Sequence, residues 1–196
     1  MGAAFPPVGF ERLLLVVTGA VPAAYTPQHA GWLRTTYPGL DVRIMLTRSA
    51  ERFVTATALG VISGTEVLYD TWPEGPVTAG PHVRLAEWAD AVLVCPATVG
   101  YLSRLALGLA DSPSLLALYC TRAPVAVVPG FPPGAWHNPT TERHVSTLAE
   151  RRNVLVVPPV PMRSWTTGQT GAHGPPPFPA LIGALELHRR SLEEDR

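Results

Sequence analysis

An α/β fold is predicted, a three-layer Rossmann-like (flavodoxin-like) parallel sheet with helices on both faces. Three observations predict it. Strand-sized, largely apolar runs recur at Arg12–Thr18, Asp41–Leu46, Ala91–Cys95, Ala123–Val128 and Asn153–Val157. Stretches with helical spacing of apolar residues separate them, the alternation that specifies a parallel sheet. Turns rich in small residues and proline follow the runs, so these turns share one rim, where open α/β sheets bind ligands.

The chain of 196 residues reads as one domain over 1–196, and its 46% hydrophobic content is ample for one core. Fifteen basic and fifteen acidic residues cancel, which argues against nucleic acid and against a charged membrane patch. The longest apolar runs are too short to span a membrane, and a signal-peptide pattern is missing from the start. A cytoplasmic protein is expected. Cys95 and Cys120 both fall in apolar surroundings and read as two buried free thiols.

In order along the chain, residues 1–10 read as a frayed arm. The strand Arg12–Thr18 ends in Gly19-Ala-Val-Pro-Ala-Ala-Tyr25, small residues that let backbone N–H groups approach a phosphate at a helix start. Pro22 suits a first helical turn, and the helix runs to about Tyr37, where Pro38-Gly39 stops it. After the strand Asp41–Leu46 come Thr47-Arg48-Ser49 and a helix carrying Phe53; Thr47 and Ser49 either cap that helix or bind a phosphate or flavin. Glu66–Tyr69 is a short edge strand, and the Trp72-Pro-Glu-Gly-Pro76 loop leads to Gly80-Pro81-His82.

His82 sits where a loop becomes a helix, with Leu85, Trp88 and Ala89 at helical spacing. The run Ala-Val-Leu-Val-Cys95 is apolar on both faces, as a central parallel strand requires, and stops at Pro96. Leu102–Leu109 continues as a helix, broken by Gly108-Leu-Ala-Asp-Ser112. Ser112-Pro113 caps and starts the next helix. The strand Ala123–Val128 ends in the dense turn Pro129–Asn138, and Asn138-Pro139 opens a helix to about Arg151. Residues 158–179 form a Pro/Gly/Thr loop long enough to need a use, here a flexible substrate flap. A last helix runs from Ala180 to about Ser191.

Taken together, Leu13 to Val157 resembles the homo-oligomeric flavin-containing cysteine decarboxylases, a family that includes phosphopantothenoylcysteine decarboxylase and the peptidyl-cysteine decarboxylases of lantibiotic pathways. Thr18-Gly-Ala-Val-Pro-Ala-Ala-Tyr25 is similar to the family's first flavin loop and Thr47-Arg-Ser-Ala-Glu-Arg-Phe53 to its second. His82-Val-Arg-Leu85 is similar to the helix start that bears the active-site histidine. Pro96-Ala-Thr-Val-Gly-Tyr101 stands where the family has P-A-S-A-N-T. Pro129 to Trp136 stands where it has P-x-M-N-x-x-M-W, followed by Asn138-Pro139 as in the family.

The resemblance implies a flavin, FAD or FMN, held by Gly19, Ala20, Val21, Thr47, Ser49, Phe53, Pro96, Ala97, Thr98, Tyr101, Ala110, Asp111 and Ser112. It implies a substrate side formed by Gly100, Pro129, Phe131, Trp136 and Asn138, no metal, and a trimer that can assemble into a dodecamer. Read as residues alone, Asp111 and Ser112 cap a helix, Trp136 packs its turn, and Tyr101 either faces the flavin or covers the core. The chain departs from the pattern where Gly100 replaces the motif asparagine, Phe131-Pro132 replaces Met-Asn, and Ala135 replaces the second Met. Arg84, Arg104, Asn138 and backbone amides are the alternatives for holding a substrate carboxylate.

The family reaction implies that His82 deprotonates a cysteine thiol, whose ordinary pKa is about 8.5. A neutral imidazole near pH 7 suits that task, while the flavin accepts a hydride. A β-thiocarbonyl then allows loss of carbon dioxide. In the coenzyme A branch a flap cysteine helps reduce the enethiolate to a saturated thiol, whereas Trp165-Thr-Thr-Gly-Gln-Thr-Gly-Ala-His-Gly-Pro175 has none. The expected product is the unsaturated enethiol of aminovinyl-cysteine formation, made on the C-terminus of a precursor peptide in lantibiotic or related peptide biosynthesis. A phosphopantothenoylcysteine decarboxylase-like enzyme, a flavin prenyltransferase and a non-catalytic flavin-binding regulatory subunit are the alternatives. His29, His137, His144, His173 and His188 have no comparable setting and no zinc spacing.

Overall fold

Side chains of alternating direction along each apolar run bury both faces of one sheet. A computed structural model describes residues 7–194 and places six parallel strands in it: β1 (Arg12–Val17), β2 (Asp41–Leu46), β3 (Val67–Tyr69), β4 (Ala91–Ala97), β5 (Val125–Pro129) and β6 (Val154–Val156). Their order is β3-β2-β1-β4-β5-β6, with Leu13 in register with both Val42 and Ala91. This is the doubly wound Rossmann order, and the chain changes direction across the sheet between β1 and β4.

Odd and even positions sort the core into two layers. Leu13, Leu15, Val17, Leu93 and Cys95 face α1 (Thr26–Thr36), α2 (Ala56–Ser63) and α7 (Phe178–Glu194). Leu14, Val16, Val92 and Val94 face α3 (Pro81–Trp88), α4 (Val99–Ala106), α5 (Pro113–Cys120) and α6 (Pro139–Ala149). The helix starts follow their chemistry. Thr55, Thr98, Ser112 and Asn138 each accept a backbone N–H in the first turn, and Pro81, Pro113 and Pro139 occupy first positions. Among the described residues no helix is long and apolar enough to cross a membrane, and no cluster of metal-ligating side chains occurs.

Several elements differ from the sequence expectation. Residues 1–6 lie outside the described residues, but the rest of the expected arm is packed: Phe10 is 3% exposed in the core. The first helix is preceded by a separate 3-10 turn at Val21–Tyr25, and Phe53 ends a short 3-10 turn rather than riding on a helix. Neither Thr47 nor Ser49 caps: Thr47 Oγ1 donates to the Val17 carbonyl at 3.2 Å and the Ser49 side chain makes no capping bond. Strand β4 runs on through Pro96 to Ala97. Residues 158–179 are not a structureless loop; they contain an antiparallel hairpin of β7 (Val160–Arg163) and β8 (Thr170–Gly174), and α7 begins at Phe178. Both thiols are free, but only Cys95 is buried, and burial pushes its pKa up to about 12. Cys120, at the end of α5, is exposed.

The N-terminal segment is fastened by one buried acid. Glu186 accepts from Gly9 N at 2.9 Å, Arg189 Nε at 2.9 Å and Arg190 Nε at 2.7 Å. Burial alone would raise its pKa, but these donors outweigh that and hold it at about 2, below the ordinary 4.5. The carboxylate thus stabilises the fold fully above the unfolded-state value and progressively less as the pH falls toward 2. From about pH 6 to about pH 3, the wild type should lose roughly 2 kcal/mol that Glu186→Gln does not lose, read from thermal unfolding of both. Parallel curves for the two proteins would remove Glu186 from this role.

Candidate functional site

At the carboxyl ends of β1 and β4, one hydroxyl joins the two turns. Thr18 is buried; its Oγ1 donates to the Pro96 carbonyl at 2.8 Å and accepts from Thr98 N at 2.8 Å. Thr98 in turn caps α4 by accepting from Tyr101 N. The second turn closes on the first: a Cβ at Gly19 would overlap Ser49 Cβ, so only glycine permits this approach. Gly130 N donates to the Ala97 carbonyl at 2.9 Å and brings the turn after β5 to the same place.

These turns and the hairpin enclose a largely apolar cleft of about 400 Å³. Gly19, Ala20, Val21, Phe53, Thr98, Gly100 and Phe131 line it, joined by Met162, Arg163, Trp165 and His173 of the hairpin segment. Among the described residues that line it, none is a carboxylate. A polar cavity of about 530 Å³ adjoins it across the Gly19–Ser49 contact, lined by Thr47, Arg48, Ser49, Arg52, Asp70, Arg104 and Ser112. The pair fits a flavin: apolar walls and small residues for a flat ring, hydroxyls and guanidinium groups for a phosphate.

Beneath the polar cavity lies a buried network. Asp70, at the end of β3, accepts from Ser112 Oγ at 2.8 Å, Ser114 Oγ at 2.8 Å and Ser114 N at 2.7 Å. Ser114 Oγ also bonds the Tyr101 hydroxyl at 2.8 Å. Tyr101 is 1% exposed, and burial drives its phenol pKa far above the ordinary value, against the opposing hydrogen bond from Ser114.

His82 stands elsewhere on the rim. Half-buried at the start of α3, its ring folds back over Gly80, where a Cβ would lie 2.6 Å from Cε1. It packs edge-on against Trp72 with centroids 5.7 Å apart, and its Nδ1 is enclosed without a hydrogen-bond partner. Trp72 Nε1 donates to the Asp111 carbonyl at 2.9 Å. His82 is among the lining residues of neither cavity.

The structure thus gathers most of the expected flavin residues but redistributes the others. Tyr101 belongs to the core, not to the cleft. Pro96, Ala97 and Pro129 are buried within β4 and β5. Asp111 does not cap α5; Ser112 does, while Asp111 pairs with Arg104 at 3.1 Å. Ala110 sits in the same turn, half-buried. Asn138 accepts from Thr140 N at 2.9 Å as the cap of α6. Trp136 orders its turn, packing against Phe131 and His173.

Arg48, Arg52, Asp70, Arg163 and His173 line the two cavities and are not among the residues that sequence reasoning singles out. Asp70 had a readable signal, an acid directly after an apolar edge strand. His173 has none, since its place beside the cleft follows from the hairpin alone.

A sequence profile described as Flavoprotein matches residues 8–180. Cypemycin cysteine dehydrogenase (decarboxylating) from Streptomyces sp is 35% identical over 180 residues, 92% of this chain and 91% of that protein. Among solved structures, the cypemycin decarboxylase CypD matches with a TM-score of 0.77 at 30% identity, over 95% of this chain and 97% of that one. The FMN-dependent cysteine decarboxylase SpaF matches with a TM-score of 0.73 at 26% identity, over 90% of this chain and 96% of that one.

Proposed function

This chain belongs to the flavoprotein family that includes the flavin-containing cysteine decarboxylases, and from that premise we propose that it oxidatively decarboxylates the C-terminal cysteine of a precursor peptide to an aminoenethiol. The observation that carries the reading is the apolar cleft at the β1/β4 switch point, adjoining a cavity lined by three arginines. A flavin held there would supply a two-electron acceptor for the hydride on the carbon bearing sulfur.

The protein's own part is binding, orientation and proton transfer. Gly19, Ala20, Val21, Phe53 and Thr98 wall the ring, and Thr47, Ser49 and Ser112 with the arginines take the phosphate. His82 takes the thiol proton; its enclosed Nδ1 leaves Nε2 for that task. The β7–β8 hairpin, Gly100 and Phe131 cover the peptide end and exclude water. With no flap cysteine to assist its reduction, the enethiol leaves unsaturated.

His82 lies off the cleft of its own subunit, which supports a composite site in a homo-oligomer, a trimer or a dodecamer built from four trimers. Tyr69, Trp72, Val77 and Val83, all exposed around the start of α3, offer the apolar surface for it. The test uses the yellow protein and a short peptide ending in cysteine. Mass spectrometry should show loss of about 46 Da, the sum of carbon dioxide and two hydrogens, and native mass spectrometry a multiple of three chains. Flavin retained with no mass change would instead identify a regulatory flavin-binding subunit.

A further inference from the structure

A peptide carboxylate entering an apolar cleft needs donors that carry charge, because an unpaired carboxylate there is strongly disfavoured. The positions where the decarboxylase pattern places asparagines provide none. Gly100 has no side chain, and nothing lies within 4 Å of where its Cβ would be. Pro132 lacks even a backbone N–H.

The other donors on the rim are engaged or elsewhere. Arg104 pairs with Asp111 beside the polar cavity, and Asn138 caps α6. Arg84 lines a groove beyond the edge strand β3.

Of the hairpin side chains that line the apolar cleft, two are of a kind that can carry positive charge, Arg163 and His173. Arg163, at the end of β7, has no acidic partner among the described residues. His173, on β8, is fixed by its backbone: Phe131 N donates to the His173 carbonyl at 2.7 Å, and His173 N donates to the Phe131 carbonyl at 3.1 Å. Its ring lies against Trp136 and edge-on to His137, with centroids 6.4 and 5.2 Å away, and its Nδ1 lacks a hydrogen-bond partner.

We propose that Arg163 and His173 hold the C-terminal carboxylate of the peptide, in place of the asparagines this chain lacks. The proposal rests on the decarboxylase reading above. It places carboxylate recognition on the element that covers the cleft, so a peptide acid draws the hairpin onto itself and a peptide amide does not.

The experiment uses the flavin-loaded protein and a peptide ending in serine, which binds without oxidation, as free acid and as amide. Wild type should bind the acid at least about tenfold tighter than the amide, as a charge-assisted contact implies. Arg163→Met and His173→Phe should each cut that preference severalfold and raise KM for the cysteine peptide, with the flavin spectrum unchanged. His173→Asn, which keeps an N–H donor, should recover part of the preference. Turnover by wild type with an acid preference that neither variant changes overturns this assignment alone. Wild type that neither turns over the cysteine peptide nor distinguishes acid from amide overturns the decarboxylase reading, and this assignment with it.

Discussion

His82→Asn should yield a protein that stays yellow and no longer removes about 46 Da from a cysteine-ending peptide, with kcat/KM lowered by about 10²- to 10⁴-fold. The size follows from the role. A thiol with a pKa of about 8.5 is mostly protonated at neutral pH, and a positioned imidazole removes that proton as the carbon is oxidised. Asparagine keeps a polar group of similar reach but takes no proton. The flavin should be retained because the residues that would hold it line the two cavities, and His82 lines neither in its own subunit. Serial dilution of peptide separates the effects: a loss confined to KM, with kcat intact, would make His82 a binding residue and leave the base unassigned. Bleaching of the protein by the same substitution would place His82 against the flavin rather than the thiol.

The second large effect is expected at Asp70. Its carboxylate accepts two hydroxyls and one backbone N–H, and Ser112 and Ser114 join it to the α5 start and to buried Tyr101. Asp70→Ala strands those donors in a setting where water replaces them poorly, at a cost of about 3 kcal/mol. For a chain of this size the Tm should fall by roughly 6–12 °C. Ser112 lines the polar cavity, so the flavin should also be retained less tightly through dialysis. Tyr101→Phe removes only the outer bond of the network and should cost about 1 kcal/mol. A Tm for Asp70→Ala within about 2 °C of wild type would show that the network is not a stabilising unit.

Much of this architecture is legible in the residues. Runs such as Leu13–Val17 and Ala91–Cys95 are apolar at every position because both sheet faces are covered, and the turns after them must then converge. The Thr18–Gly19 and Thr98 turns were found for that reason. The misses have physical causes. An aromatic residue four positions past a strand points to cleft or core according to where the next helix packs, and α4 turns Tyr101 inward. Caps and ligand-binding hydroxyls share one chemistry, so Thr47, Ser49 and Asp111 were ambiguous until their partners were visible. The hairpin at residues 160–174 is hidden because Pro161 and three glycines dilute its period-two signal. Arg163 and His173 inherit that invisibility.

Cys95 lies within β4, two residues before the strand ends at Ala97 and gives way to the Thr98 turn that borders the cleft. Burial keeps it protonated at any working pH, and a thiol exchanges with disulfides or reacts with alkylating agents only as thiolate. An enzyme built this way does not form a mixed disulfide with its own substrate at that position. Cys120, exposed at the end of α5, is the described thiol open to such exchange, so iodoacetamide added to stop a reaction should cap the peptide and Cys120 while leaving Cys95 unmodified.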